Sequence, residues 1–185
     1  MRKLITILIC ATLLFCVACN ESKEFTSDTT CEQILNAATA VESYDNTKNY
    51  IKGKTDFNAN IMSMWSDGVF DECQEFNLLD DYAICYSNDN TTYEISVLKA
   101  KSKDDVSKLE SLFERRKKTL EGGTQAAYDP NFKKIMQDAK IITDGDFVML
   151  LLTNDNDAVI KAIEKLKKYE LDIGMWPISN FFRLT

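Results

Sequence analysis

Lys140-Ile141-Ile142-Thr143-Asp144-Gly145-Asp146-Phe147-Val148-Met149-Leu150-Leu151-Leu152 is the stretch on which the fold turns. Asp144-Gly145 is a strong short-turn signal between two β-capable runs, so the stretch reads as a hairpin. Its second arm, Phe147 to Leu152, is apolar at every position. Such an arm is buried on both faces or lies centrally in a sheet. Directly after it, Asn154 and Asp155 open a helix to about Tyr169, with Val159, Ile160, Ile163 and Leu166 inward.

Two helices precede this hairpin. Ser102 is a natural N-cap for the first, and Asp104 and Asp105 suit the positive end of its dipole. Val106, Leu109, Leu112, Phe113 and Leu120 form its apolar stripe, Arg115-Arg116-Lys117-Lys118 fall in its last turns, and Gly122-Gly123 stops it. In the second, Asp129 caps, Pro130 takes the first helical position, and Phe132, Ile135, Met136 and Ala139 face inward. Further upstream, Tyr82–Tyr86 and Tyr93–Leu98 are β-rich and flank the turn formers Ser87–Thr91. Alternation puts Tyr93, Ile95 and Val97 on one face and Glu94, Ser96 and Leu98 on the other, which predicts one buried and one more exposed face. Val69–Leu79 reads as a helical turn leading into this hairpin. Asp45–Gly68 reads as a loop and then a short helical or packing segment, with Met62, Met64 and Trp65 as core filler. Cys31–Tyr44 reads as a helix capped by Thr30, with Ile34, Leu35, Ala38 and Val41 inward.

The element order is helix, strand, strand, helix, helix, strand, strand, helix. It predicts an α+β fold: an antiparallel sheet of about four strands built from two hairpins, with helices packed mainly on one face. Residues 31–185 form one such domain.

The N-terminus reads as an address. Met1-Arg2-Lys3 is basic, and Leu4–Val17 is apolar but for Thr6 and Thr12. That run is too short for a bilayer span of about 20 residues and has the length of a signal-peptide core. Val17-Ala18-Cys19 follows, and these residues resemble a bacterial lipobox, although Cys16 stands where the pattern usually has Leu. The resemblance makes residues 1–18 a lipoprotein signal peptide and Cys19 a lipidation site. Membrane lipid is then a partner through acylated Cys19, at the outer face of the cell membrane, since each buried lipid CH₂ adds about 0.8 kcal/mol. Cleavage as an ordinary secretory signal and retention as an uncleaved anchor are the alternatives. Residues 19–30, polar and aperiodic, read as a flexible tether.

Composition narrows function. The chain of 185 residues has 22 Lys+Arg, 29 Asp+Glu, a net charge of −7 and no His. The missing His removes Ser-His-Asp and Cys-His catalysis and His-ligated zinc. The acidic balance argues against nucleic acid, whose phosphates are neutralised by Lys and Arg. Of six Cys, Cys10 and Cys16 lie in the signal and Cys19 in the lipobox; Cys31, Cys73 and Cys85 read as buried small apolar residues, with one disulfide plus a free thiol as the alternative.

The stretch from about Tyr82 to Leu166 carries a wider pattern. It has Tyr82, the strand Glu94-Ile95-Ser96-Val97-Leu98-Lys99, Val106 and Leu109, Arg115 or Arg116, Tyr128-Asp129-Pro130, and Gly145 with Phe147-Val148. It resembles a family of lipoproteins from Gram-positive bacteria catalogued only as a domain of unknown function (4358). The resemblance implies a family-like core over about 80–168 and no particular activity.

No residue set points to a catalytic, cofactor or metal site. Asn88-Asp89-Asn90 and Asn154-Asp155-Asn156-Asp157 lack the Gly and distant Glu of a calcium loop and read as a turn and a turn with helix cap. Arg115–Lys118 reads as a solvated helix end, with an ion pair or carbonyl contact for Arg115 or Arg116 as the alternative. Glu94 reads as a surface cross-strand residue. The leading reading is a non-enzymatic, membrane-anchored module that binds or scaffolds an envelope protein or small ligand. A solute-capturing lipoprotein and an envelope enzyme using carboxylates alone are the alternatives. The aromatic tail, Met175 to Phe182, packs on the sheet or meets a partner.

Overall fold

The computed structural model describes residues 24–174. Cys19, the residues 1–18 read as a signal peptide and the aromatic tail lie outside them. Five strands form one antiparallel sheet: β1 Thr47–Ile51, β2 Leu79–Ser87, β3 Glu94–Ala100, β4 Lys140–Asp144 and β5 Phe147–Leu152, in the order β1-β2-β3-β5-β4. The helices are α1 Cys31–Thr39, α2 Ala59–Asp67, α3 Val106–Glu121, α4 Gln125–Tyr128, α5 Phe132–Asp138 and α6 Asn156–Gly174.

The class is α+β, as expected, and both expected hairpins are present. The sheet has five strands rather than about four. The added strand, β1, lies at an edge beside β2 and buries only Tyr50 fully, so it lacks the alternation that marks a half-buried strand. The helices cover both faces rather than mainly one. α1 and α6 close the face of Ala83, Cys85, Ile95, Val97, Met149 and Leu151. α2, α3 and α5 close the face of Ile84, Leu98, Val148, Leu150 and Leu152. This is why β5 is apolar throughout: both faces are covered, and all six residues are buried. It also overturns the expectation of one exposed face on β3, where Glu94, Ser96 and Leu98 are as buried as Ile95 and Val97.

Helix ends follow local chemistry. Thr30 and Gln33 form a capping box at α1, each satisfying a backbone N–H of the other. α1 stops at Thr39, short of the expected Tyr44, and leaves Val41 exposed. Ser102 opens a 3-10 turn, Lys103–Asp105, ahead of α3, with its hydroxyl donating to Asp105. Asp129 is not the cap of α5, which starts after Asn131. It accepts the N–H of Asn131 and, across the fold, the N–H of Thr92. The last helix runs past Tyr169 to Gly174.

The segment read as a tether is packed from Glu24 onward. Phe25 meets Phe147 edge-on at 5.2 Å, and Lys167 sits 4.8 Å from the Phe25 ring centre. Lys99 donates to the carbonyl of Ser27. Because Asp144 pairs with Phe147, the hairpin loop is Gly145-Asp146, and only Gly145 has a positive φ, +60°. That is the arrangement of a type II′ turn, in which the first loop residue must be Gly.

A methyl group at Gly145 meets strained backbone and a Glu24 carboxylate oxygen 3.3 Å away. Gly145→Ala is expected to lower stability by about 1–2 kcal/mol, read as a lower urea midpoint with an unchanged slope.

Candidate functional site

Glu94 opens β3, and its side chain points to the α3 face, where it is 1% exposed. Arg116 lies two-thirds of the way along α3, one helical turn before Leu120, so its side chain projects toward the sheet rather than to water. The two meet in a forked ion pair. Arg116 donates from Nε and Nη2 to Glu94 Oε2 at 3.0 and 2.8 Å. Its Nη1 donates to the Trp65 carbonyl at 2.7 Å, near the end of α2. Glu94 Oε1 accepts from the Ser96 hydroxyl at 2.8 Å. The guanidinium also lies between aromatic rings, 5.5 Å from the centre of Trp65 and 5.7 Å from that of Tyr86.

Neither residue sits where it was expected. Glu94 is not a surface cross-strand residue, and Arg116 does not belong to a solvated helix end. The alternative of an ion pair plus a carbonyl contact is the one Arg116 adopts. Arg115 is half-buried and binds Asp67 and Glu75 at 3.1 and 2.9 Å, tying α3 to α2 and to the turn before β2. A run of four basic residues hides this division, because adjacent residues on a helix face different ways. The helical spacing of Leu112, Arg116 and Leu120 was the available signal.

Beside the pair lies a cavity of about 290 Å³, at the β2–β3 turn end of the sheet. Trp65 and Met64 from α2, Tyr50 from β1, and Tyr86, Thr92 and Glu94 around the turn line it. Met62 and Trp65 are core residues as expected, whereas Met64 is exposed at this wall. Burial, and next the neighbouring Tyr50, push the Tyr86 phenol up, so it stays protonated. Asp89 in the adjacent turn accepts from Thr91, Tyr44 and Asn46. The Thr91 hydroxyl and N–H hold the Asp89 carboxyl down at about 2. Two residues of the lining, Trp65 and Thr92, carry buried polar atoms, Nε1 and Oγ1, that have no partner among the described residues and are not themselves open to the cavity. A buried polar group without a partner calls for an explanation.

The other acidic runs have structural work. Asp89 orders its turn; Asp155 accepts the N–H of Ala158 at the start of α6, and Asn156 ties Thr153 to the Asp138 carbonyl. Cys31, Cys73 and Cys85 are free, buried thiols, with Cys73 on the opposite face of the sheet from the other two. Burial, with a hydrogen bond to Glu75, pushes the Cys73 thiol from 9.0 up to about 11.

Fold and site together define an α+β domain with a doubly covered antiparallel sheet, a buried acid–base pair and a small polar cavity beside it. Residues 75–153 match the family described as Domain of unknown function (DUF4358). No curated protein and no solved structure matches the chain. The matched segment runs from the turn before β2 to the end of β5. It contains Glu94 and Arg116 but not Trp65 or α6.

Breaking the pair from one side strands a buried charge. Arg116→Met is expected to cost about 3–5 kcal/mol in denaturant unfolding, and the double variant Arg116→Met/Glu94→Leu less than that single change. The thiols give a second check. Near neutral pH, N-ethylmaleimide should label none of Cys31, Cys73 and Cys85 until urea unfolds the chain. Because the folded Cys73 value is raised, its contribution to stability is complete below pH 9.0 and is lost as pH rises through about 11. A pH series of urea midpoints should fall across that interval.

Proposed function

We propose that this chain is an extracytoplasmic, non-enzymatic binding module, anchored to the outer face of the cell membrane through acylated Cys19, whose ligand site is the cavity beside Glu94 and Arg116. The observation that carries the binding reading is the cavity of about 290 Å³ itself, walled by Tyr50, Trp65 and Tyr86 and by polar residues of the β2–β3 turn. A concave site lined by aromatic rings with a few fixed polar groups is the usual form of a small-molecule site. A carboxylate enzyme is the poorer reading, because both oxygens of Glu94 are already held by Arg116 and Ser96.

The packing of residues 24–30 supports the anchored arrangement. Cys19 precedes Glu24 by five residues, a reach of at most about 18 Å. Glu24 and Phe25 lie at the β4–β5 turn. The cavity lies at the other end of the sheet, where Glu94 pairs with Leu152. The length of β5 separates the two ends by about 17 Å. An anchor at one end leaves the cavity facing away from the bilayer.

Intact-mass analysis of the protein from membranes tests the address. The expected species begins at a diacylated Cys19, and Cys19→Ala is expected to leave the membrane fraction. A wild-type chain without acyl groups, together with a variant that stays membrane-bound, overturns the reading.

A further inference from the structure

We infer that the aromatic segment 175–184 is a second membrane contact, entering the interfacial layer of the bilayer that holds Cys19; this deepens the anchored reading and rests on it. The course of α6 comes first. It starts at Asn156, which accepts the N–H of Thr153 just past β5, at the cavity end of the sheet. Eleven residues on, Lys167 is ion-paired with Asp144 and lies over the Phe25 ring, at the β4–β5 turn. Eleven residues are about 17 Å of helix, the same as the length of β5, so α6 runs back along the sheet to the anchor end. It continues for seven residues to Gly174, about 10 Å further in the same direction. The chain therefore leaves α6 at the end of the domain from which Glu24 leads back to Cys19.

Room comes second. The sheet offers the segment no bare face, because α1 and α6 cover one side and α2, α3 and α5 the other. Large apolar residues that the described surface does expose lie toward the cavity end. Val41 precedes Glu42, whose carbonyl accepts the Tyr93 hydroxyl. Met64 lines the cavity, and Phe70 follows Gly68, which lies beside Thr119 late in α3. Tyr128 precedes Asp129, which holds the Thr92 N–H.

Composition comes third. Residues 175–185 include Met175, Trp176, Ile178, Phe181, Phe182 and Leu184, with Arg183 and none of the chain's 29 acidic residues. Aromatic and aliphatic side chains with a cation suit the headgroup layer: the rings enter the acyl boundary and Arg183 meets anionic lipid. Eleven residues are too few for a bilayer span of about 20. A single tether leaves a domain free to tilt. A second contact at the same end holds it upright, with the cavity away from the bilayer.

The test uses residues 20–185, which keep every described element, with an N-terminal hexahistidine tag. The chain has no His of its own. A nickel-chelating lipid in vesicles of phosphatidylcholine and phosphatidylglycerol therefore holds it by the tag alone, independently of acylation. Brominated acyl chains quench an indole that reaches them. Quenching is expected, and Trp176→Phe should abolish it, because Trp65 is buried in the domain. Phe181→Ser/Phe182→Ser should shift the segment out of the bilayer by about tenfold or more, since two buried rings are lost. No quenching, or quenching that survives Trp176→Phe, overturns the membrane contact and leaves the anchor standing or falling on its mass analysis. Trp176 quenching together with an unacylated Cys19 in that analysis overturns the shared anchor and leaves the segment's lipid contact standing.

Discussion

The ion pair in which two N–H groups of Arg116 meet one oxygen of Glu94 is the constraint around which one whole face of the sheet is arranged. Removing both charges from water carries a desolvation penalty that their attraction offsets only with good geometry and further hydrogen bonds. The fold supplies these from three directions: Ser96 from the same strand, the Trp65 carbonyl from α2, and ring faces of Trp65 and Tyr86. The pair therefore fixes α3 against β3 and the end of α2 against both. Trp65, held on its other side by an edge-on contact with Phe113 at 6.0 Å, becomes a rigid wall.

Much of the fold was legible in the sequence because local chemistry agreed with the global answer. The Asp144-Gly145 turn, the stripe of α3, the Thr30 cap and the continuous apolar run of β5 each held. What could not be read depends on contacts between distant residues. β1 is a strand only because β2 offers it an edge, and its own composition, Thr-Lys-Asn-Tyr-Ile, says little. Coverage of both sheet faces was signalled by Phe147–Leu152 yet masked on β3 by Glu94 and Ser96, which look like residues of a wet face.

The site was the least legible part, for the same reason. A glutamate on a strand and an arginine in a basic run each look solvated when read alone. Only the register that brings Glu94 opposite Leu152, together with the pitch of α3, makes them partners. Thr92 gives even less sign in sequence. Its burial follows from Asp129, which takes its N–H from a loop 37 residues away.

The strand order has one more consequence, for behaviour in concentrated solution. Phe147–Leu152 is an uncharged, β-prone hexapeptide of the kind that stacks into steric zippers when its edge is free. It is shielded on one side by β3 and on the other only by β4, five residues long and partly exposed, with Lys140 outward at its start. A short edge strand bearing a lysine resists addition of a second sheet. The colloidal lifetime of the protein thus hangs on the fraying of β4, a five-residue edge strand, while the well-packed centre sets its thermodynamic stability.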